Sequence, residues 1–328
     1  MPRQTILSGM RPTGRLHLGN YVGVLSNWVK LQSEYECFFE VADWHVLTTG
    51  YEDTSGILRD GIEVVMDWLA SGIDPDRSVV FVQSDVKEHA ELHLLLSMLV
   101  SVARLERNPT VKEQVRDLGL GDNVMYGHLG YPVLQAADIM LYRAHAVPVG
   151  EDQLPHLEIT REIARRFNTL YEEIFPIPEP LLTRFPRLPG LDGKRMSKSM
   201  GNVILLSDQP EAIAKKVMTA ITDPEKIKMG DPGHPDICNV FAYHNRFNAE
   251  AVNGIETRCK SGDLGCVECK RMCASAISDY LAPIRERRKQ LESDEGAIVD
   301  MLTEGAERAR ERARATMRQV RKAMHLSR

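Results

Sequence analysis

Three groups of residues in this 328-residue chain have the types and spacing for chemistry. The first is Arg11-Pro12-Thr13-Gly14-Arg15-Leu16-His17-Leu18-Gly19-Asn20. It follows a short apolar run, Thr5-Ile6-Leu7, and precedes a stretch where Tyr21, Val22, Leu25, Trp28, Val29 and Leu31 recur at helical spacing. Strand, turn and helix are therefore expected, with Pro12 and Gly14 building the turn and Gly19 leaving room for a close neighbour. Unsatisfied N–H groups and the helix dipole at such a turn attract an anion. His17 and Asn20, three apart, can both face it. The second group is Gly193-Lys194-Arg195-Met196-Ser197-Lys198-Ser199, a glycine-led, cationic, hydroxyl-rich loop. It suits a polyphosphate, although a charge run of this kind also serves as a solvated surface loop. The third group is thiols. Cys266 and Cys269 form a C-x-x-C pair, Cys259 lies seven residues earlier, and Cys238 twenty-one before that. Four thiolates could meet at one centre, and Cys₄ sites hold zinc or an iron–sulfur cluster. Cys273, four residues beyond Cys269, reads as a core thiol, as does Cys37.

Other polar residues stand out against apolar surroundings. Tyr131, Gln135 and Asp138 recur at helical spacing in the mostly apolar stretch from Tyr131 to Tyr142. An aspartate there is expensive to bury unless something donates to it. A cap or backbone hydrogen bond would serve, and so would a substrate N–H or O–H. Asp43-Trp44-His45 follows a second apolar run beginning at Cys37, and Gly150-Glu151-Asp152-Gln153 follows Val147-Pro148-Val149. Turns after strands are where ligands bind in open α/β sheets.

The elements that must hold these groups alternate. Strands are expected at 5–7, 37–43, 78–83 and 147–149, and helices at 53–73, 88–106, 131–142 and 154–167. This is the pattern of a parallel, doubly wound sheet. Residues 107–123 carry loop chemistry, Asn108-Pro109-Thr110 and Gly119 to Asn123, with Lys112 between. Five prolines make 174–190 an extended connector. Beyond it the strand signal fades, and 208–228 and 270–326 look helical. The reading is α/β: a Rossmann-like catalytic domain over 1–205 and a helical domain with the cysteines over 206–328, whose last helix could pack back on the first.

Composition is that of a globular protein, 43% hydrophobic and 27% charged, with no apolar run long enough for a membrane helix. A cytoplasmic protein without disulfides is expected. The net charge of −5 gives no global attraction for nucleic acid, so contact would fall to local patches. From Arg308 to Arg328 there are seven Arg and one Lys against Glu311 alone. That run is either a nucleic-acid patch or a solvated basic helix end.

Together the first two groups resemble the paired signatures of the class I aminoacyl-tRNA synthetases. His17-Leu18-Gly19-Asn20 is similar to the "HIGH" element and Arg195 to Ser199 to "KMSKS". From Ile6 to about residue 326 the chain resembles the bacterial tryptophanyl-tRNA synthetases. The resemblance implies that Asp138 accepts the indole N–H and that Tyr131 and Gln153 hold the amino group. It implies that Arg11, Pro12, Thr13, Gly19 and Asn20 frame ATP, with Gly150, Glu151 and Asp152 at the adenosine and Leu188 at the adenine. Arg195, Met196, Ser197, Lys198 and Ser199 would follow the phosphates, with Lys112 assisting, and Mg²⁺ would accompany ATP. His17, Lys112 and Lys198 are the implied catalytic groups. The cysteines are similar to those of a subgroup with a four-iron–four-sulfur cluster in the anticodon-binding domain. That likeness, rather than spacing, favours a [4Fe–4S] cluster on Cys238, Cys259, Cys266 and Cys269 over zinc. Two positions depart from the family. Arg195 stands where Lys is usual, with Lys194 before it, and Arg11 stands where Gln is frequent.

The implied activity is attachment of L-tryptophan to tRNA(Trp) through tryptophanyl-adenylate, by a homodimer. A tyrosyl-tRNA synthetase is the nearest alternative, because Asp138 could also accept from a phenol. A non-catalytic tRNA-binding paralogue and an iron–sulfur redox protein are further ones.

Overall fold

The computed structural model describes residues 3–121, 123–182 and 188–327. Asp122 of the expected loop, Pro186 of the connector and Arg328 of the basic run lie outside the described residues. Five strands form one sheet: β1 (Thr5–Met10), β2 (Glu36–Val41), β3 (Ser78–Val82), β4 (Ala146–Val149) and β5 (Glu179–Leu182). They lie in the order β3-β2-β1-β4-β5, every neighbouring pair parallel. Strands β2, β3 and β4 are buried almost throughout, as a parallel sheet covered on both faces requires. Strand order reverses between β1 and β4, so the turns after these strands, 11–14 and 150–153, flank the switch-point crevice.

The contacts divide the chain into two compact units. The first comprises Met1–Gly14, Asn27–Arg184 and Asp294–Arg328, and the second Arg15–Ser26 and Phe185–Ser293. This grouping is drawn differently from a division near residue 205. The first unit holds the sheet, with a core that includes Phe38, Phe81, Tyr142, Val147, Phe167 and Met317. The final helix, Glu295–Ala323, lies against β3. At Gly305 a Cβ would stand 1.8 Å from the Val80 carbonyl oxygen, so only glycine permits this approach. The basic run clips that helix in place. Arg308 donates to the Pro75 carbonyl at 2.9 Å, Arg312 to Glu36 at 2.8 Å, and Arg321 to Glu91 at 2.7 Å. These guanidiniums are thus paired with carboxylates and carbonyls of the same unit while staying partly exposed.

Several segments differ from the sequence expectation. The expected loop at 107–123 contains the helix Pro109–Asp117. Asn108 caps it by accepting from the Thr110 N–H at 2.9 Å, and Pro109 occupies its first turn, so the supposed breaker is a helix start. The helix expected over 88–106 is two, Glu88–Ser97 and Val102–Glu106, the second capped by Ser101. The connector contains β5 despite its prolines; edge strands tolerate proline. Asp43 lies outside β2, in the first turn of the helix Asp43–Gly50. The helix expected over 208–228 ends at Thr219, and 270–326 is interrupted at Ser293-Asp294, where Asp294 caps the last helix.

The second unit contains the helices Pro210–Thr219, Asn239–Phe247, Val252–Lys260 and Cys266–Glu292. Its early segment is stitched to its later one. Leu18 N–H donates to the Ile204 carbonyl and Leu206 N–H to the Leu16 carbonyl, each at 2.9 Å.

Candidate functional site

In the first unit the helix Tyr126–Leu141 carries Tyr131 and Asp138 on buried faces. Asp138 is 1% exposed, and its carboxylate is satisfied by side chains rather than backbone. Oδ1 lies 2.8 Å from the donating Gln83 amide nitrogen and 2.7 Å from His89 Nδ1; Oδ2 lies 2.8 Å from His45 Nε2. Burial alone would raise its pKa, but these partners hold it well below the usual carboxylate range. Oδ2, with only one partner, keeps accepting capacity. Glu40 sits beside this carboxylate, and burial followed by the Asp138 charge pushes its own carboxyl well up. One of its oxygens has no hydrogen-bond partner. Glycine at position 9 makes room for it, since a Cβ there would lie 2.6 Å from Glu40 Cγ. Glu40, His89 and Asp138 are the only group of three potential metal-ligand residues, among the described residues, whose donor atoms lie within 4.8 Å of one another. His89 is already committed at both nitrogens, the second 2.8 Å from the Tyr142 hydroxyl.

Tyr131 and Gln153 meet through a histidine. The Tyr131 hydroxyl lies 2.6 Å from His156 Nε2, and His156 Nδ1 lies 3.1 Å from Gln153 Oε1. Gln153 ends the short turn Glu151–Gln153 after β4, and its amide nitrogen donates to Asp152 at 3.3 Å. Arg11 is exposed after β1, and its positive charge reaches Tyr131 and His128. Pro12 is buried and Thr13 exposed; Glu151 and Asp152 are exposed. Lys112 is exposed on Pro109–Asp117 and lines a cavity of about 730 Å³ with Val111, Val115, Arg116, Val124 and Leu129. That helix is fastened near Asp152, whose carbonyl accepts from the Thr110 hydroxyl at 3.3 Å.

The second unit brings the other two motifs together. His17 and Asn20 cap the helix start reciprocally. His17 Nδ1 accepts from the Asn20 N–H at 3.3 Å, and the Asn20 side chain accepts from the His17 N–H at 3.1 Å. With Nδ1 accepting, the neutral ring carries its proton on Nε2. Burial, then the charges of Lys198 and Arg195, bring its pKa down to about 4, so the ring is neutral at physiological pH. A Cβ on Gly19 would lie 2.9 Å from the sulfur of Met196, which is buried, so the glycine lets the cationic loop close on the helix start. Asn202 shapes that loop: its side chain accepts from the Ser197 N–H at 2.8 Å and donates to Asp192 at 2.7 Å and to the Arg195 carbonyl at 3.0 Å. Lys194, Arg195, Lys198 and Ser199 are exposed, the Ser197 and Ser199 hydroxyls are 2.8 Å apart, and Leu188 is partly buried at the loop's entry.

All six cysteines are free thiols. Cys238 precedes the helix Asn239–Phe247, Cys259 lies in the last turn of Val252–Lys260, and Cys266 and Cys269 open Cys266–Glu292. Cys269 feels the charges of Cys238, Cys259 and Cys266, and burial pushes its thiol up to about 12. Lys226 is 8% exposed beside Cys259 and Cys269, and its ammonium has no hydrogen-bond partner. A Cβ on Gly233 would lie 2.6 Å from the Cys259 sulfur. Cys273 is buried in the core, its thiol 4.0 Å from the Val240 carbonyl.

Sequence reading missed Glu40, Gln83, His89 and His156. Gln83 follows β3 directly, so the strand-end rule that singled out His45 would have found it. His156 is the single histidine of its helix and carries no spacing signal, whereas His89 shares Glu88–Ser97 with His93 four residues on, a spacing that puts both on one helix face.

Residues 2–282 match the family model described as tRNA synthetases class I (W and Y). Over 98% of this chain and 99% of theirs, it is 51% identical to the tryptophan–tRNA ligase of Thermotoga maritima and 46% identical to that of Aquifex aeolicus. The crystal structure of the Campylobacter jejuni tryptophanyl-tRNA synthetase complexed with ADP and tryptophan superposes with a TM-score of 0.87 at 31% identity, covering 98% of this chain and 100% of that one.

Proposed function

The chain belongs to the class I tRNA synthetases for tryptophan and tyrosine, and from that premise we infer that it joins L-tryptophan to tRNA(Trp) at the expense of ATP. Full-length likeness to two tryptophan–tRNA ligases carries this reading and favours tryptophan over tyrosine. The tryptophan carboxylate attacks the α-phosphorus of Mg²⁺-bound ATP, releasing pyrophosphate; a terminal ribose hydroxyl of the tRNA then takes the acyl group. No protein nucleophile is required, since the attacking carboxylate is already charged. The protein positions the reactants and offsets charge developing on the phosphates.

The roles are those the family likeness implies, and the geometry is compatible with them. Asp138 Oδ2 accepts the indole N–H, a donor-only group. A substrate lacking that N–H would leave a desolvated carboxylate underpaired, which is where discrimination becomes large. Tyr131 and Gln153 take the ammonium. By the likeness to the family, Arg11, Pro12, Thr13, Gly19, Asn20, Gly150, Glu151, Asp152, Leu188 and Arg195 to Ser199 bind ATP. His17 offers a neutral Nε2–H, and Lys198 and Lys112 supply positive charge to the phosphates. Met196 serves by packing against Gly19, which holds the loop. Helices 206–293 form the anticodon-binding domain. The protein works in the cytoplasm as a homodimer, for which exposed Leu94, Met98 and Val102 offer apolar surface. No helix among the described residues is long and apolar enough to cross a membrane.

Cys238, Cys259, Cys266 and Cys269 hold a [4Fe–4S] cluster in this reading. Burial pushes the Cys259 and Cys269 thiols up, so they need a cation to ionise, and the Lys226 ammonium, which has no hydrogen-bond partner, suits the net negative charge of a four-thiolate centre. The likeness to the iron–sulfur subgroup is what favours a multi-iron centre over zinc. When bound, the cluster would tie three helix ends together. The deciding experiment is ATP–pyrophosphate exchange with tryptophan and tyrosine offered separately, on anaerobically purified protein whose visible spectrum and metal content are recorded. Exchange with tyrosine alone, or none, overturns the substrate; stoichiometric zinc without iron overturns the centre.

A further inference from the structure

Resting on the reading that Tyr131 and Gln153 receive the substrate's ammonium, we propose that His156 is a positioning residue that fixes the Tyr131 oxygen as an acceptor for that ammonium. His156 is 1% exposed and bonded on both sides. A neutral imidazole has one donor and one acceptor nitrogen, so its two bonds must run in one direction. The far end of the chain sets that direction. The Gln153 amide nitrogen faces Asp152 Oδ2 at 3.3 Å, and an ionised carboxylate only accepts. The amide oxygen is therefore the atom turned toward His156, 3.1 Å from Nδ1. An amide oxygen also only accepts, so Nδ1 carries the proton. Nε2 must then accept, and the hydroxyl 2.6 Å away must give it its hydrogen.

The consequence reaches the substrate. With its hydrogen turned to His156, Tyr131 presents lone pairs, whereas an ammonium has N–H donors only. The opposite tautomer would set an O–H against an N–H. Burial, with a smaller contribution from His45, brings the His156 pKa down to about 4, so the ring stays neutral at physiological pH. A chain of bonds running from Tyr131 to Asp152 thus makes the pocket selective for an amine-bearing ligand.

The test compares L-tryptophan with indole-3-propionate, which keeps the indole and carboxylate but lacks the amine. Dissociation constants are measured by calorimetry on the full chain. His156→Phe should weaken tryptophan at least about tenfold and indole-3-propionate by less than about twofold. His156→Gln, whose amide oxygen can accept from Tyr131, should recover most of the tryptophan affinity. In exchange assays the KM for tryptophan should rise while that for ATP stays. Equal weakening of both ligands, or unaltered tryptophan binding in His156→Phe, overturns the proposal. Should that variant not fold, His156→Asn, which keeps a donor for Gln153 and removes the acceptor for Tyr131, carries the same expectation. Tyr131→Phe separates the two levels. If it leaves tryptophan affinity untouched, the amino-group reading itself fails. If it loses tryptophan selectively while His156→Phe does not, only the role of His156 fails.

Discussion

Asp138 shows how much one buried charge depends on its neighbours. Its carboxylate has three donors around it before any substrate arrives. In Asp138→Asn, one oxygen can keep Gln83 and His89, but an NH₂ group then replaces Oδ2 and meets both His45 and the indole N–H as a donor. Tryptophan affinity should fall by roughly 1–3 kcal/mol, about fivefold to 150-fold, with the KM for ATP nearly intact. Unchanged tryptophan kinetics would remove Asp138 from the pocket. Burial, and then the charge of Asp138 beside it, pushes the carboxyl of Glu40 on β2 well up.

At the scale of elements, close approach explains glycines that motif reading alone does not. Gly305 lets the last helix touch the backbone of β3, and the arginines of that helix clip it to strand ends and to Glu91. Gly305→Ala should force the helix off the strand and lower stability by about 1–3 kcal/mol, read as a lower Tm. A variant with wild-type Tm would show that the helix can shift without loss. The helix Pro109–Asp117 makes a complementary point. Its cap and its proline were visible in the sequence, but the same Asn-Pro pair also begins turns, and only the contact with the chain at Asp152 and Pro155 distinguishes the two.

For the whole molecule, the grouping of the cysteines with the cationic loop matters most. Read from spacing as a separate helical domain, the cysteine region would loosen by itself if the proposed centre were lost, sparing exchange and impairing tRNA charging. In the structure Asn239, next to Cys238, donates to the Gly190 carbonyl, and the Tyr243 hydroxyl to the Pro189 carbonyl, both at 2.6 Å. The cysteine helices therefore brace the base of the loop that carries Lys198. If the proposed cluster is present, Cys269→Ser should lose iron and visible absorption, and both exchange and charging should fall with them. Exchange within about twofold of wild type in iron-free protein would show that the loop stands without the centre. Phosphate contacts around Cys259 and Cys269 have fewer cations to offer than composition suggests. Arg258 pairs with Glu268, Lys260 with Glu256, and Lys270 with the Met218 carbonyl, leaving Arg271 as the exposed member whose bonds none of these account for.

The sequence by itself determined the strand–turn–helix opening, the parallel α/β class, and the two nucleotide motifs, because each is a local pattern of residue types with a local physical cause. It also brought out Asp138, Tyr131 and the four cysteines, since polar groups in apolar or closely spaced settings are conspicuous in one dimension. Only the tertiary structure decided what surrounds them. His45, Gln83 and His89 reach Asp138 from three separate elements, and no local period records such a meeting. The need for glycine at 19 comes from Met196, far along the chain, and the fate of the terminal arginines from carboxylates and carbonyls on other elements. The tautomer of His156 follows from a carboxylate two bonds beyond it. Hydrogen-bond direction and close packing belong to pairs of atoms brought together by folding, so they become legible only once the chain has folded.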